Sequence, residues 1–303
     1  MQSLSNQQII SFQKKILSWY KEHKRNLPWR HLPFDTHKKE RDPYKILLSE
    51  IMSQQTQIER VVPKYEVWLN RFPTIASLAE APVSNVLQYW SGLGYNRRAL
   101  NLQKTAQAIM RDHNGIFPRT EKELLALPGI GSYTARAIMC FAFEEQVIVI
   151  DTNVRKVILT QFIQPYCHDC TQTDPKGNTI HDANCDTSNK ISDAQISDIA
   201  QQLLPKDRAY EWNQALMDYA GTMLKQHKIR IPKQSSFKGS RRYYRGRVLK
   251  LLLEKKEILL NEIGFLMKDD YSLADAPLKD SILLDLEKEG FIKVSKTVVR
   301  LKQ

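Results

Sequence analysis

The sequence lacks the features that place a protein in a membrane or outside the cell. It has no apolar run of the roughly eighteen residues that a transmembrane helix needs. Its first fifteen residues have neither the basic start nor the apolar centre of a signal peptide. Cysteine is scarce, four among 303 residues, which argues against a disulfide-rich secreted scaffold. We therefore expect a monomeric cytoplasmic protein with no membrane partner.

Strand-like patterns are also scarce. The β-branched run 147–150 is short, and other strand candidates lie only near the C-terminus. In contrast, residues 5–23, 44–70 and 83–90 carry apolar side chains at the three- and four-residue spacing of helices. This pattern predicts an all-α domain over residues 1–224, broken by a polar insertion at about 164–190.

Acidic residues are absent from 225–250, where ten residues are Lys or Arg. The whole chain has a formal net charge of +12, which favours a nucleic acid as partner, with an anionic membrane surface as the second candidate. We predict a basic linker at 225–240 and expect Arg242, Arg245 and Arg247 to contact phosphates. The alternative interpretation is a solvated charged face.

The last sixty residues have a mixed pattern. Helices are predicted at about 241–255, 259–267 and 276–289, followed by a hairpin of strands 291–294 and 297–301. Three helices and a β-wing are typical of a winged-helix-like α+β domain, here 241–303, which often but not always binds DNA.

The most specific motif is LPGIGSYTA at 127–135, between the predicted helices 121–126 and 132–143. Gly129 and Gly131 allow a tight reversal after Leu127, and the next helix then presents free N–H groups to a phosphate. Such a hairpin grips the DNA backbone without reading sequence. An ordinary corner between two helices is the alternative.

Two carboxylates stand next to apolar runs. Glu50 lies in an apolar helix, where desolvation would let it hold a proton near neutral pH, although a surface position is an equal alternative. Asp151 ends the run 147–150, and its position before Thr-Asn-Val-Arg suits a helix N-cap. Cys140 lies in an apolar helical stretch and is expected in the core.

Six segments occur in an order that resembles the MutY-type adenine DNA glycosylases of the helix-hairpin-helix superfamily. They are RNLPWR (25–30), DPYKILLSEIMSQQTQ (42–57), WSGLGYNRRA (90–99), LPGIGSYTA (127–135), IDTNVRKV (150–157) and WNQALMDYAG (212–221). The resemblance covers about residues 8–224. It implies a two-lobed helical fold around a cleft, with the N-terminal helix returning to pack against the segment after Asp151.

The resemblance also implies a mechanism. Glu50 would protonate N7 of adenine, Asp151 would stabilise the positive charge that develops on the sugar, and Asn153 would support Asp151. Glycoside cleavage in general divides the work between one protonated and one ionised carboxyl. Tyr133 stands where endonuclease III-type relatives have a lysine, so we expect a monofunctional enzyme that forms no imine.

Recognition residues follow from the same resemblance. The substrate would be double-stranded DNA in which adenine is mispaired with guanine or 8-oxoguanine, and the target base would leave the stack. The wedge and the groups beside the opposite base would be Gln55, Thr56, Leu93 and Tyr95. The adenine pocket would be lined by Trp29, Arg30 and Gln214.

The sequence departs from this family in several places. Leu224 replaces the first cysteine of the family's iron–sulfur cluster, so no cofactor is expected. The C-terminal sixty residues are too few for the family's Nudix-like domain, and Ser53 replaces a larger apolar residue. Within the insertion, Cys167, Cys170, His181 and Cys185 have a zinc-compatible spacing, with His168 as a competing ligand, but free thiols are the favoured interpretation.

Two other functions stay open. One is a thymine or uracil mismatch glycosylase on the same scaffold, which the segment around Glu50 disfavours because a pyrimidine has no N7. The other is a catalytically silent protein that binds DNA structures, which the presence of both carboxylates disfavours. The preferred opposite base and the partner of the C-terminal domain are not decided by the sequence.

Overall fold

The computed structural model of the protein describes residues 3–31, 40–163, 191–225 and 236–302, and the backbone of 171–173 and 179–181. The chain divides into two compact units. The first comprises the described residues of Met1–Ile46, Arg119–Lys122 and Gly131–Pro232, and the second those of Leu47–Pro118, Glu123–Ile130 and Lys233–Gln303. Both units are mostly helical, which confirms the predicted fold class.

The described helices are, in chain order, α1 (Asn6–His23), α2 (Pro43–Ser53), α3 (Ile58–Arg71), α4 (Ile75–Ala79), α5 (Val83–Trp90), α6 (Arg97–Asp112), α7 (Glu121–Ala126), α8 (Ser132–Phe141), α9 (Thr152–Ile158), α10 (Asp193–Leu203), α11 (Ala209–Met223), α12 (Arg241–Lys255), α13 (Ile263–Met267) and α14 (Ala276–Glu289). Shorter turns lie at Pro28–Arg30, Leu159–Ile163 and Leu273–Asp275. The described strands are β1 (Thr171–Thr173), β2 (Thr179–His181), β3 (Glu257–Leu259), β4 (Ile292–Val294) and β5 (Val298–Leu301).

The first unit is organised around α1 and α11. Ser5 caps α1 through a capping box with Gln8, which satisfies two N–H groups at the start of the helix. The buried ring of Phe12 meets Phe162 edge-on at 4.8 Å and Trp212 at 5.9 Å, measured between ring centroids. Helix α1 therefore packs both on α11 and on the turn that follows α9, as the sequence resemblance implied.

Helical periodicity over 44–70 does not give one continuous helix. Helix α2 ends at Ser53 and α3 begins at Ile58, because the chain reverses at Gln55 in a left-handed conformation with φ of +53°. The helical spacing over 44–70 therefore corresponds to two helices, and the polar run Gln-Gln-Thr-Gln supplies the turn between them.

The run 147–150 is not a strand. Its β-branched residues lie in an irregular segment in which Val149 donates a backbone hydrogen bond to the side chain of Asn213. Asn213 in turn donates to the carbonyl of Val147. A buried amide on α11 thus satisfies the backbone groups that a neighbouring strand would otherwise take.

The C-terminal segment folds as helix, strand, helix, helix, strand, strand. Helices α12 and α14 have the predicted bounds, but the predicted helix at 259–267 starts only at Ile263, because Leu259 belongs to β3. Strands β3 and β4 both pair with β5, giving a three-stranded antiparallel sheet with the order β3-β5-β4. This confirms a small α+β module with a β-wing and adds a third strand.

The core of this module is shared with the earlier part of the second unit. Leu87 of α5 and Leu100 of α6 belong to the same buried cluster as Val248, Leu252 and Ile282 of the C-terminal segment. The linear boundaries at 224 and 240 stay a prediction, but the buried contacts already connect residues on both sides of them.

In the polar insertion, β1 and β2 form a short antiparallel pair. Cys167, Cys170, Cys185 and the side chain of His181 lie outside the described residues, so the zinc hypothesis stays a prediction. Among the residues that the structure does describe, no cluster of His, Cys, Asp and Glu could hold a metal ion. No described helix is long and apolar enough to cross a membrane.

Candidate active site and DNA-contact residues

Asp151 is held by two hydrogen bonds at the start of α9. Its Oδ1 accepts from the backbone N–H of Val154 at 2.7 Å, so it is the N-cap of the helix. Its Oδ2 accepts from Nδ2 of Asn153 at 2.7 Å. The carboxyl is thereby fixed in one orientation by its own helix.

The protonation of Asp151 is set by opposing influences. Burial raises the pKa of the carboxyl above its usual value, and the hydrogen bonds from Val154 and Asn153 act in the opposite direction without cancelling it. Since both hydrogen bonds favour the ionised form, they keep the carboxylate available in an environment that disfavours charge.

A buried ion-pair cluster lies on the same unit. Asp218 of α11 has no exposed side-chain surface, and it accepts two hydrogen bonds from Arg30, at 2.7 and 2.9 Å, and one from Nε of Arg25 at 2.6 Å. Burial is the largest single influence and raises the pKa of the Asp218 carboxyl, but the hydrogen bonds and positive charges of Arg30 and Arg25 together outweigh it, so the pKa lies below its usual value. The guanidinium of Arg30, a predicted pocket residue, is therefore fixed by a protein carboxylate.

The other predicted pocket residues are also in the first unit and are buried. Trp29 is 7% exposed in the turn Pro28–Arg30, and Gln214 is 5% exposed on α11. Tyr133 is half-buried in the first turn of α8.

Glu50 lies near the end of α2, where its neighbours Ser49 and Ile51 are buried and Glu50 itself is partly exposed. The second unit contains Glu50 and the first contains Asp151. The two carboxylates therefore belong to different units, and their joint action in one reaction stays a prediction.

Arg98 organises the loops that carry the predicted wedge residues. Its guanidinium, at the start of α6, donates six hydrogen bonds. Nη1 donates to the carbonyls of Ile51 (2.8 Å), Met52 (3.1 Å) and Gln54 (2.6 Å). Nη2 donates to Oγ1 of Thr56 (3.1 Å) and to the carbonyls of Leu93 (3.1 Å) and Gly94 (3.2 Å). Burial lowers the pKa of this guanidinium to about 10. One side chain thus joins the end of α2 and the turn 54–57 to the loop 91–96.

Both joined loops are conformationally constrained. Gln55 and Tyr95 have left-handed backbone angles, with φ of +53° and +47°, which non-glycine residues adopt only at a cost. Both residues are exposed, Tyr95 by 47%, whereas Leu93 is only 5% exposed and Thr56 is bonded to Arg98. Two predicted wedge residues therefore project from the surface, and the other two lie within the loop structure.

The glycine hairpin has the predicted place between α7 and α8. Gly129 has a φ of +79°, and a Cβ built there would lie 2.7 Å from the Cβ of Asn101, so only glycine fits. Thr105 donates to the carbonyl of Pro128 at 2.6 Å and holds the turn against α6. Leu127 is buried, and Gly131 is the exposed N-cap residue of α8.

The arginines predicted to contact DNA phosphates lie on a folded helix and not in an open linker. Arg245 and Arg247 lie on α12 and pair with carboxylates, Arg245 with Glu289 at 2.8 Å and Arg247 with Asp269. Arg242 is on the same helix and is half-buried. These interactions occupy donors that the sequence assigned to DNA.

Comparison with known proteins assigns the fold to a family. Residues 48–164 match the HhH-GPD superfamily of base excision DNA repair proteins. Residues 48–164 form a domain of this superfamily. The match begins next to Glu50, contains the hairpin and ends just after the π-helical turn that follows α9.

The curated relatives are named adenine DNA glycosylase. The mouse protein is 32% identical over 244 residues, which are 79% of this chain and 44% of that protein. The Mycobacterium tuberculosis protein is 45% identical over 143 residues, 47% of this chain and 45% of that protein. The chain thus spans less than half the length of these relatives. The resemblance to MutY-type enzymes that the six segments indicated is confirmed.

A solved structure described as a thermostable thymine-DNA glycosylase is also similar. It superposes with a TM-score of 0.58 at 26% identity, covering 77% of this chain and 93% of that chain. A similar fold thus occurs in a protein whose name refers to thymine, a pyrimidine.

Sequence reasoning missed Arg98, Asn213 and Asp218. All three satisfy backbone or charged groups from distant parts of the sequence, so their partners could not be read from local patterns. A signal existed for two of them, because Asn213 and Asp218 are polar residues in the otherwise apolar segment WNQALMDYAG.

Proposed function

We propose that this protein is a monofunctional DNA glycosylase that removes adenine from a mispair with guanine or 8-oxoguanine. The observation that carries the proposal is the constrained Asp151 carboxyl, bonded to Asn153 and to the N-terminus of α9, within a chain that contains an HhH-GPD superfamily domain. A partly buried carboxylate held in one orientation suits the stabilisation of a positive charge.

In the proposed reaction, Glu50 gives its proton to N7 of adenine, and the C1′–N9 bond breaks with its electron pair moving to the base. The sugar becomes a cation whose charge Asp151 balances. Water then adds to C1′ and loses a proton, leaving free adenine and an abasic site. The products are the same whether water attacks this cation directly or after its capture by Asp151. Tyr133 cannot form an imine, so the strand stays intact.

Features of both units support the recognition step. Tyr95 and Gln55 are exposed on loops that Arg98 holds, which suits groups that enter or flank the space left by an extruded base. The N-terminus of α8 offers free N–H groups behind the glycine hairpin, which suits a DNA phosphate.

We further propose that the enzyme works without the family's iron–sulfur cluster. Leu224, which replaces the first cysteine ligand, is 6% exposed and packs as an apolar side chain, so the residue in that position cannot ligate iron. The measurement is the iron content of protein purified without air. Stoichiometric iron would contradict the proposal.

The activity is tested by single-turnover base release from four duplexes: adenine opposite 8-oxoguanine, adenine opposite guanine, thymine opposite guanine and uracil opposite guanine. Alkali reveals abasic sites, and omission of alkali tests for strand cleavage. We expect release of adenine only, without nicking, and at least a hundredfold slower release with Glu50→Gln. Glu59→Gln, at an exposed position in the first turn of α3, is the matched control and should behave as wild type.

The duplex with thymine opposite guanine is included because the chain is similar in structure to a thymine-DNA glycosylase. Release of thymine or uracil without adenine would replace the proposed substrate by a pyrimidine. Binding to the mispair without any base release would identify a catalytically silent DNA-binding protein.

A further inference from the structure

Three arginines of α12 are held in ion pairs within the C-terminal module. In α12, Arg241 and Arg245 pair with Asp285 and Glu289 of α14, and Arg247 pairs with Asp269. These ion pairs join α12 to the rest of the module and balance the charge of three of its arginines. We infer that Arg241, Arg245 and Arg247 contribute to the packing of the module.

Helix α14 has the position of a recognition helix, the last helix before the wing. Its most exposed positions form a stripe of Pro277, Asp280, Leu284 and Lys288. This stripe has no net charge and no long polar side chain other than one lysine. It is poorly suited to entering a groove lined by phosphates.

The outer face of the three-stranded sheet is different. Lys293 of β4, Arg300 of β5 and the following Lys302 are all exposed, while the alternate residues Val299 and Leu301 are buried against the helices. We call Lys293, Arg300 and Lys302 the basic sheet face. Lys256 and Lys296 are exposed in the turns next to it, and Glu257 is the acidic residue that pairs in register with Arg300.

The basic sheet face brings like charges together. Lys293 and Arg300 are directly opposite each other on neighbouring strands, where side chains lie about 5 Å apart and like charges destabilise a sheet. Among the described residues, neither forms an ion pair with a carboxylate. Such an arrangement is favourable when an anion lies over the face.

We propose that the basic sheet face binds the sugar–phosphate backbone of duplex DNA outside the target mispair. The row of cations follows β5, in which Arg300 and Lys302 are about 6.6 Å apart along the strand. Backbone binding needs charge and spacing but no base-reading helix, which fits a module whose last helix is neutral on its exposed side. The proposal rests on the proposed function only in taking DNA as the ligand.

The shared core makes this contact useful. Leu87 and Leu100, which belong to the core of the module, lie on α5 and α6, the helices on either side of the loop 91–96. A phosphate held by the sheet would therefore orient the same folded unit that presents Tyr95. Affinity for flanking DNA would help to place this loop at the mispair.

The experiment compares two double variants of the full chain that lose the same charge. Lys293→Gln with Arg300→Gln removes the two opposed cations of the sheet. Lys250→Gln with Lys288→Gln removes one exposed cation from α12 and one from α14 and is the matched control. Equilibrium binding to a long duplex that contains the mispair is measured over a series of salt concentrations, together with thermal stability.

For the sheet variant we expect at least tenfold weaker binding and a shallower dependence of log Kd on log salt, by about 0.9 for each phosphate that the sheet no longer neutralises. Its melting temperature should stay close to that of wild type, because the change removes both the repulsion between Lys293 and Arg300 and the attraction between Arg300 and Glu257. The control variant should retain both the affinity and the slope of wild type. Single-turnover base release at saturating enzyme should be unchanged in the control variant.

A sheet variant with wild-type affinity and slope would overturn the proposal. So would equal losses in both variants, because that would reflect net charge alone. An affinity loss that survives on a duplex trimmed close to the mispair would also contradict a contact with flanking DNA. Failure of wild type to release any base would refute the proposed function while leaving the binding comparison interpretable.

Discussion

At the residue scale, the acidity of Asp151 depends on the amide beside it. Burial raises the pKa of this carboxyl, and the bond from Asn153 is one of the interactions that lower it. In Asn153→Ala the pKa should therefore rise further. Because the proposed role requires ionised Asp151, base release is lost as the pH falls through this pKa, and the acidic limb of the pH–rate profile should move to higher pH.

The measurement is single-turnover base release as a function of pH. Thr152→Ala, an exposed change in the first turn of the same helix, is the control and should leave the profile in place. An acidic limb that stays unmoved in Asn153→Ala would show that Asp151 does not limit the reaction on this side.

Arg98 provides a second prediction. In Arg98→Lys the charge remains, but a lysine has three donors on one nitrogen and cannot replace a guanidinium that bonds six acceptors at the end of α2 and in two loops. We expect roughly tenfold or greater loss of base release from a mispair, with a fall in the free energy of unfolding of about 1–3 kcal/mol from unsatisfied groups.

A comparison of two substrates distinguishes a role of Arg98 in holding the loops from a general loss of stability. A duplex with adenine opposite an abasic site has no paired opposite base to displace, so Arg98→Lys should lose less activity on it than on the mispair. Arg97→Lys, one residue earlier and exposed, is the control. Equal losses on both substrates would assign Arg98 to stability alone.

These two residues also show what sequence can predict at this scale. Asp151 was expected at an N-cap, and it is one, because the cap signal lies within four consecutive residues. Arg98 had no such signal. Its acceptors extend from Ile51 to Gly94, and only the folded chain brings them to one guanidinium.

At the scale of elements, the glycine hairpin gives a paired test. Gly129→Ala introduces a Cβ that meets Asn101 at a backbone angle that alanine rarely adopts, whereas a Cβ at Gly131 meets nothing within 4 Å. We expect Gly129→Ala to lower the free energy of unfolding by about 1–3 kcal/mol and to weaken DNA binding. Gly131→Ala should retain the stability of wild type, apart from a modest loss at the N-cap.

Chemical denaturation and duplex binding of both variants provide the measurement. Equal stabilities of the two variants would contradict the requirement for glycine at 129. Weaker binding by Gly131→Ala alone would instead assign the phosphate contact to the N-terminus of α8 without any contribution from the turn.

Local patterns predicted most helices, and they failed where a segment takes its hydrogen-bond partners from distant parts of the sequence. Helices α12 and α14 were predicted with their observed bounds, because Ser240 caps the start of α12 and Gly290 ends α14. The run 147–150 was expected as a strand candidate, but Asn213 supplies its hydrogen-bond partner. At 259–267 the strand β3 displaced the start of the helix, since its partner β5 lies forty residues later.

At the scale of the whole molecule, the hydrophobic core does not follow the domain boundaries that the sequence predicted. Sequence reasoning predicted a boundary after residue 224 because composition changes there. Composition cannot show that Leu87 and Leu100 face Val248 and Leu252, since no local feature links these positions. Burying each of these leucines is worth about 1.5–3 kcal/mol, so the C-terminal segment contributes to the stability of α5 and α6.

This shared core predicts that the second unit unfolds as one. Leu252→Ala, at a fully buried position of α12, should cost about 2–5 kcal/mol and should increase hydrogen exchange in α5 and α6 as well as in the C-terminal strands. Leu284→Ala, at a half-exposed position on α14, is the control and should leave both regions protected. A chain cut after residue 240 should expose Leu87 and Leu100 and lose cooperative unfolding. If that shortened chain instead melts cooperatively and α5 and α6 keep their protection, the linear boundary is correct, because then the C-terminal segment adds little to the stability of the helices that carry the wedge loop.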